Sequence, residues 1–366
     1  MGTTVRAIIE SMESWAPSGL AYSWDKIGLT TGAMEQSVSK VLTALTINRD
    51  TLKAARRAKV ELIVAHHPLI WEPVSTLRRD DPKPAFYCEI VESGIATYAA
   101  HTNLDVAEGG VNHILANRLD LTNLSPLFPV PQANLLKLSV FVPGSHLTAI
   151  QQATADAGAG VIGEYTHCGF HSEGTGTFKP GDAASPYTGK RRILNSEPEV
   201  RFETTVSPSV VNEVLSAMRT AHPYEEVAYD LVQLENTDNR YALGLIGQLP
   251  KTLTLDTFAG RVKKSLKIEH VRVTGKGKAK VKKIAVMGGA GGDSAPRVPS
   301  DVDVFVTGDI KYHDALDAYD AGLNLIDAGH HGTEKWIVPA IRDHLKKTCP
   351  GVKVSAFMEA DPFRVL

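Results

Sequence analysis

Two related α/β lobes, interrupted by an α+β insert, are what the 366-residue sequence predicts, on three observations. Strand-like and helix-like stretches alternate through the first 130 residues and again from about 236 to the end, which argues a mostly parallel sheet in each. Between them, over about 135–235, the order becomes β-α-β-β-α-β, that of a ferredoxin-like unit. The outer segments also echo one another. "AARRAKVELIVAHHPLIW" and "ALDAYDAGLNLIDAGHHGTEKW" share a helix, a short turn, a Leu-Ile strand, paired histidines and a trailing tryptophan.

The elements follow in order. "TVRAIIESMESWAP" has helical spacing and stops at Pro17. "KVLTALTI" reads as an apolar strand, "RDTLKAARRAKV" as a helix with a basic face, and "ELIVAHH" as a second strand. "PAFYCEIVESGI" is a helix ended by Gly94, and "ATYAAHTNLD" a third strand. "LSPLFPVPQAN", residues 124–134, holds Pro126, Pro129 and Pro131 and reads as a domain boundary. In the insert come a strand at 135–142, a helix at 145–157, a strand near "IGEYTHCGF" and a Gly/Pro-rich loop at 174–189. A strand in "EVRFETTVS", a helix "PSVVNEVLSAMRTA" with Pro208 just inside its start, and a strand "EVAYDLVQL" complete it. The second outer segment has strands "KKIAVMGG", "VDVFVTGD" and "LNLIDAGHH", the helix "YHDALDAYDAG", and a last helix from about Thr333.

Composition narrows the class of protein. Hydrophobic residues make up 43% of the chain, enough for substantial cores, and the formal net charge of −2 exerts no general pull on nucleic acid or anionic membrane. No apolar run approaches the ~18 residues of a membrane span. "MGTTVRAIIE" lacks the pattern of a signal peptide. Cys88, Cys168 and Cys349 are few, odd in number and scattered, so no disulfide framework is expected. The expectation is a cytoplasmic protein with no membrane or nucleic-acid partner.

The chemistry is expected at the paired histidines. His66–His67 and His330–His331 each follow an aliphatic strand, and ligands in open α/β sheets collect at the carboxyl ends of strands. A third strand end supplies His101 and Asp105, and Glu334 lies four residues after His330, on the same helix face. A single histidine in a sheet protein is more often a hydrogen-bonded structural residue than a ligand. Two pairs with carboxylates nearby make a mixed nitrogen and oxygen donor set: His66, His67, Asp105, His330 and Glu334. Imidazole with carboxylate suits zinc first, then iron, manganese, cobalt or nickel, rather than magnesium or calcium. The expectation is two divalent transition-metal ions.

At these residues the chain resembles the NIF3-like family. "HHPLIW", "HTNLD", "GDIKYHDA" and "DAGHHGTE" look like its signature segments, and "GLAYSWDKIGLTTG" is similar to its opening motif, with Lys26 where Asn is usual. The resemblance implies a dinuclear site held by His66, His67, Asp105, His330 and Glu334, with Glu334 as the bridge. It implies a toroidal homohexamer and the label GTP cyclohydrolase I type 2 homologue. "HCGFHSEGTGTFKP" and "AHPYEEVAYDL" resemble the middle domain of longer bacterial members, which is similar to the PII and CutA proteins.

The function expected is therefore a metal-dependent hydrolase of a small nucleotide-like or phosphate-bearing molecule. His101, or a histidine left free of metal, would move a proton. The alternative is a metal-binding regulatory or scaffold protein with a ligand-sensing insert. Lesser candidates are a second metal site at His167, Cys168, His171 and His222, and a phosphate cradle or tight turn in "MGGAGGDS". Asp309 and His313 would orient a ligand or cap a helix, and a lysine-rich hairpin is expected around "TGKGKA".

Overall fold

The computed structural model describes residues 3–365. They form two compact units, residues 3–130 with 239–365, and residues 131–238. No helix among the described residues is long and apolar enough to cross a membrane.

The larger unit is built on two main sheets. In the five-stranded sheet, Lys353–Ala356, Lys40–Ala44, Leu62–Ala65 and Ala96–Ala99 run parallel, and Gly28–Thr31 closes the far edge antiparallel. Leu62–Ala65 and Ala96–Ala99 are buried at every position, as expected of parallel strands covered on both faces. Val5, Ile8, Ile9 and Met12 from the helix Val5–Trp15 pack on one face beside Ile337, Val338, Ile341 and Leu345 from the helix Ile337–Thr348. Both sets recur at helical spacing, and each side chain contributes about 1.5–3 kcal/mol by leaving water. Leu52 and Ala55 of the helix Arg49–Ala58 cover the other face with Tyr87 and Ile90. Asn48 caps that helix by accepting hydrogen bonds from the Asp50 and Thr51 amides, 2.9 Å each.

In the six-stranded sheet, Lys280–Ala290, Val304–Gly308 and Asn324–Asp327 are parallel. Ala242–Thr254 pairs antiparallel with Lys280–Ala290, and Thr122–Pro129 lies at the edge beyond it. The sheets do not follow the two outer segments of sequence. The C-terminal strand joins the first sheet, and Thr122–Pro129 joins the second.

Several expectations are corrected. The segment read as a boundary, 124–134, contains the break between the two units after Val130, but its first part, as far as Pro129, is an edge strand, where prolines are tolerated because no neighbour needs the missing N–H. "TGKGKA" is not a hairpin: Arg272–Thr274 pairs with Asn324–Asp327 and is separated from Lys280–Ala290 by two strands. The third strand of the first segment stops at Ala99, and "TNLDV" is a short helix, Thr102–Val106. The last helix is broken into His330–Glu334 and Ile337–Thr348. The strand Ala242–Thr254 and the helix Leu255–Leu266 were not among the elements expected, although Leu255, Phe258, Ala259, Val262 and Leu266 recur at helical spacing and are buried.

The smaller unit, residues 131–238, has the element order strand, helix, strand, strand, helix, strand. Its strands are Asn134–Val142, Gly169–Phe178, Asn195–Val206 and Tyr229–Thr237, all paired antiparallel, with the last strand beside the first and the third between first and second. The helices Leu147–Asp156 and Val211–Ala221 supply Ile150 and Met218 to a core with Val140, Val142 and Phe202. The second strand extends to Phe178, so the first part of the stretch read as a glycine-rich loop is strand.

Candidate metal centre

Each side chain of the cluster is placed by the end of a parallel strand. His66 and His67 follow Ala65, His101 follows the strand Ala96–Ala99, and His330 opens the turn of helix after Asn324–Asp327. Asp105 sits four residues after His101, in the short helix. These residues come together as three groups whose donor atoms lie within 4.8 Å of one another. They are His66, Asp105 and Glu334; His67, His330 and Glu334; and His66, His67 and His101.

All four imidazoles are held from behind through Nδ1. His66 Nδ1 donates to the Ala100 carbonyl at 2.9 Å, and His67 Nδ1 lies 2.8 Å from the Thr46 hydroxyl. His101 Nδ1 donates to Asp25 Oδ1 at 2.9 Å, and His330 Nδ1 to Asp309 Oδ2 at 2.7 Å. Nε2 is thereby the nitrogen each ring keeps for the centre, an arrangement that orients metal-binding histidines. Asp309 acts on His330 and does not cap the next helix, whose cap position is Lys311.

Glu334 lies between the two halves of the cluster. Its Oε2 is 2.9 Å from His67 Nε2 and 3.0 Å from His330 Nε2, while Oε1 is 3.8 Å from His66 Nε2. The residue is 4% exposed. Gly289, with φ +68°, makes room for it: a Cβ there would stand 2.2 Å from Glu334 Oε1. "MGGAGGDS" is thus the end of the strand Lys280–Ala290 running into the 3-10 helix Gly292–Arg297, with Gly289 against the centre, and Thr333 Oγ1 accepts a hydrogen bond from the Gly289 amide at 3.0 Å.

Electrostatics point the same way. Burial would push His66 down, but the charges of Asp105 and Glu334 bring it up to about 9. Burial is likewise overcome at His330, which Glu334 and Asp309 raise to about 10. His67 is lowered, mainly by burial. Burial raises Asp105 to about 6, and the Glu334 charge adds to this. Glu334 itself is held well below the usual carboxylate range, because hydrogen bonds from His330 and His67 and the nearby His66 ring outweigh its burial. Asp25 falls to about 2 because His101 and Thr102 donate to it, against the effect of burial.

The donors fit cations. His66 Nε2 and Asp105 Oδ1 are buried, 3.4 Å apart, and neither has a hydrogen-bond partner. Leaving such a group unsatisfied costs about 1–3 kcal/mol, which a shared ion would remove. His66, Asp105 and Glu334 Oε1 could hold one ion, and His67, His330 and Glu334 Oε2 a second.

A family model described as Duf34/NIF3 (NGG1p interacting factor 3) matches residues 3–362. The chain belongs to the Duf34/NIF3 family. A relative from Halalkalibacterium halodurans named GTP cyclohydrolase 1 type 2 homolog is 39% identical over 364 residues, covering 98% of each chain. One of the same name from Bacillus subtilis is 40% identical over 365 residues, again 98% of each. A crystal structure of a Bacillus cereus protein related to NIF3 superposes with a TM-score of 0.89 at 40% identity, covering 100% of both chains. The NIF3-like resemblance carried by "HHPLIW", "HTNLD" and "DAGHHGTE" thus extends over the whole chain.

Some candidates lie elsewhere. His331 turns away from the cluster, its Nε2 donating to the Glu359 carbonyl at 3.0 Å. His313 is exposed beside Tyr312. In the smaller unit, His167, Cys168, His171 and His222 belong to no group of three metal donors among the described residues. His222 is occupied by the fold: Nε2 donates to the Phe141 carbonyl at 3.0 Å, and Nδ1 accepts from the Tyr224 amide at 3.1 Å. Sequence reasoning assigned no role to Asp25 or Thr46. Asp25 stands in the quoted opening motif, where an acid after an aromatic gives no sign that it faces a histidine 76 residues on.

Proposed function

We propose that this protein is a dinuclear-metal hydrolase acting on a small nucleotide-like or phosphate-bearing molecule. The observation that carries the reading is Glu334, whose two oxygens face separate histidine groups, next to the unpartnered pair His66 Nε2 and Asp105 Oδ1. Two divalent transition-metal ions, zinc first among them, would be held by His66, His67, Asp105, His330 and Glu334. When bound, they supply Lewis acidity and lower the pKa of a coordinated water.

The chain's own part is positioning and proton handling. Asp25 accepts a hydrogen bond from His101 Nδ1, which keeps His101 Nε2 facing the centre as the atom able to take or return a proton. His66, buried completely, orients without contact with bulk water. The relatives named GTP cyclohydrolase 1 type 2 homolog support a nucleotide-like substrate.

The same reading takes the smaller unit as a ferredoxin-like, PII/CutA-like domain inserted between two related lobes, and its sheet order supports this. It also takes the assembly as a toroidal homohexamer in the cytoplasm. Light scattering at micromolar and lower concentration should then give a six-chain mass, and a persistent monomer or dimer would reject the ring.

A second reading is a metal-binding regulatory protein with a ligand-sensing insert. A cavity of about 660 Å³ in the smaller unit favours it, lined by Phe141, Tyr187, Tyr224, Glu199 and Arg201 among others. Turnover decides between the two. The hydrolase reading expects chelator-sensitive release of product from a panel of nucleotides and phosphoesters, with close to two metal ions per chain by elemental analysis. Glu334→Gln should lose more metal than any other single ligand change. Full occupancy in that variant would remove the bridging role.

A further inference from the structure

Beside the centre stands a group of aromatic rings that the metal chemistry does not use. Trp24 and Trp71 are 53% and 43% exposed. Trp71 meets the His101 ring edge-on at 5.6 Å, Trp24 meets it at 6.5 Å, and the two indoles lie 5.8 Å apart, inclined at 59°. Tyr22 stacks on Trp24 at 5.7 Å with 12° between the planes. The backbone around Trp24 is pinned on both sides. The Tyr22 amide donates to Thr102 Oγ1 at 3.1 Å, and the Asp25 carboxylate accepts from His101 and from the Thr102 amide, 2.9 Å each.

The four tryptophans of the chain divide into two kinds. Trp15 donates its indole N–H to the Glu108 carbonyl at 2.9 Å, and Trp336 donates to the Leu266 carbonyl at 3.3 Å with the Arg118 guanidinium over its ring. These two are tied into the fold. Among the described residues, neither Trp24 nor Trp71 gives its N–H to a protein acceptor. Two exposed indoles with free N–H groups, near one another and the His101 ring, stand against the histidine that faces both the metal ligands and the aromatic rings.

We propose that Trp24 and Trp71 form a stacking site for a planar heteroaromatic ring of the substrate, placing the group attached to that ring over the metal ligands beside His101. This rests on the reading of the centre as a hydrolytic metal site and names the class of its substrate. An aromatic surface already assembled before the ligand arrives binds a flat ring at reduced ordering cost, and the backbone around Trp24 is held on both sides. Stacking accepts any base, since every base has a π face, so the site selects for a flat ring and leaves the choice of base to other groups. The free indole N–H groups add donors at the rim for ring carbonyls or nitrogens.

The test measures equilibrium binding to the metal-loaded full chain. The probes are adenosine and guanosine 5′-monophosphate, compared with ribose 5-phosphate, which keeps the phosphate and sugar and lacks the ring. The nucleotides should bind about tenfold or more tightly than ribose 5-phosphate. Trp24→Ala and Trp71→Ala should each remove most of that preference while metal content and oligomeric mass stay as in the wild type. Trp24→Phe and Trp71→Phe should restore part of it. Equal binding of the three probes by the wild type overturns the proposal. So does an alanine variant that changes the oligomeric mass, which makes the rings a subunit contact, or one that loses metal, which makes them supports for His101. Binding needs no turnover, so the two readings fail separately. A chain that prefers the ring but hydrolyses nothing rejects only the hydrolase; one that hydrolyses phosphoesters without the preference rejects only the stacking site.

Discussion

His66 and His330 illustrate how much a residue's chemistry depends on what folds around it. Both are raised, to about 9 and about 10, against the burial that would lower them: His66 by Asp105 and Glu334, distant in sequence, and His330 by Glu334 one helical turn on and by Asp309. A raised histidine keeps its proton through neutral pH, and a metal must displace that proton to bind. Metal affinity should therefore continue to rise with pH between about 7 and 9, above the range centred near 6.5 in which a free imidazole loses its proton. Competition against a chromophoric chelator at several pH values would show this. An affinity that is flat above pH 7 would mean the two rings are not protonated in the metal-free protein. Asp25 and Asp309 belong to the same scale. Each holds a histidine by Nδ1, and the two lie 284 positions apart in a chain that brings them to one centre.

At the scale of elements, the centre depends on strand ends arriving in register. Glu61 helps set that register. It lies just before the strand Leu62–Ala65, and its carboxylate accepts from the Ser39 and Lys40 amides, at 3.1 and 2.8 Å, at the start of the neighbouring strand. Burial would raise its pKa, but these backbone hydrogen bonds lower it. The sign follows: a carboxyl depressed in the folded state contributes stability above its unfolded pKa, near 4.3, and loses it as pH falls through the folded value. Glu61→Gln should therefore be less stable than the wild type at pH 7, by roughly 0.5–1 kcal/mol given its contact with water. The gap should narrow below about pH 4. Thermal melts of both proteins at pH 7 and pH 3.5 would test it, and a gap that widens in acid would contradict it. The edge strand Thr122–Pro129 shows the limit of local signals, since its prolines punctuate the sequence like a linker and an edge position tolerates them.

For the whole molecule, the point of insertion is informative. Pro129 pairs with Ala242 in neighbouring antiparallel strands, so residues 131–238 interrupt what would otherwise be a hairpin. Within the smaller unit the chain's entry and exit are adjacent, the Asp238 amide donating to the Ala133 carbonyl at 2.8 Å. Joining Val130 to Asn239 leaves Val130, Asn239, Arg240 and Tyr241 between the paired positions, a common hairpin loop length. The excised protein should fold cooperatively and bind metal as the full chain does, because every ligand lies in the larger unit. Circular dichroism melts with metal analysis would check this. An insoluble or metal-free product across several loop designs would show that the larger unit depends on the insert.

Paired histidines after aliphatic strands, with carboxylates at short spacing, were enough by themselves to mark His66, His67, Asp105, His330 and Glu334 as candidates, because strand ends and helix faces follow local periodicity. The family was legible for the same reason, in short segments around those residues. Only the tertiary structure decided which histidines face one another. It turned His331 toward Glu359, tied His222 into its own unit, and brought Asp25 to His101 and Asp309 to His330. It also placed the last strand in the first sheet and separated Arg272–Thr274 from Lys280–Ala290, where the sequence suggested a hairpin. Strand partners and the direction of a side chain after a strand's end are set by long-range packing, which leaves no periodic trace in the residues themselves.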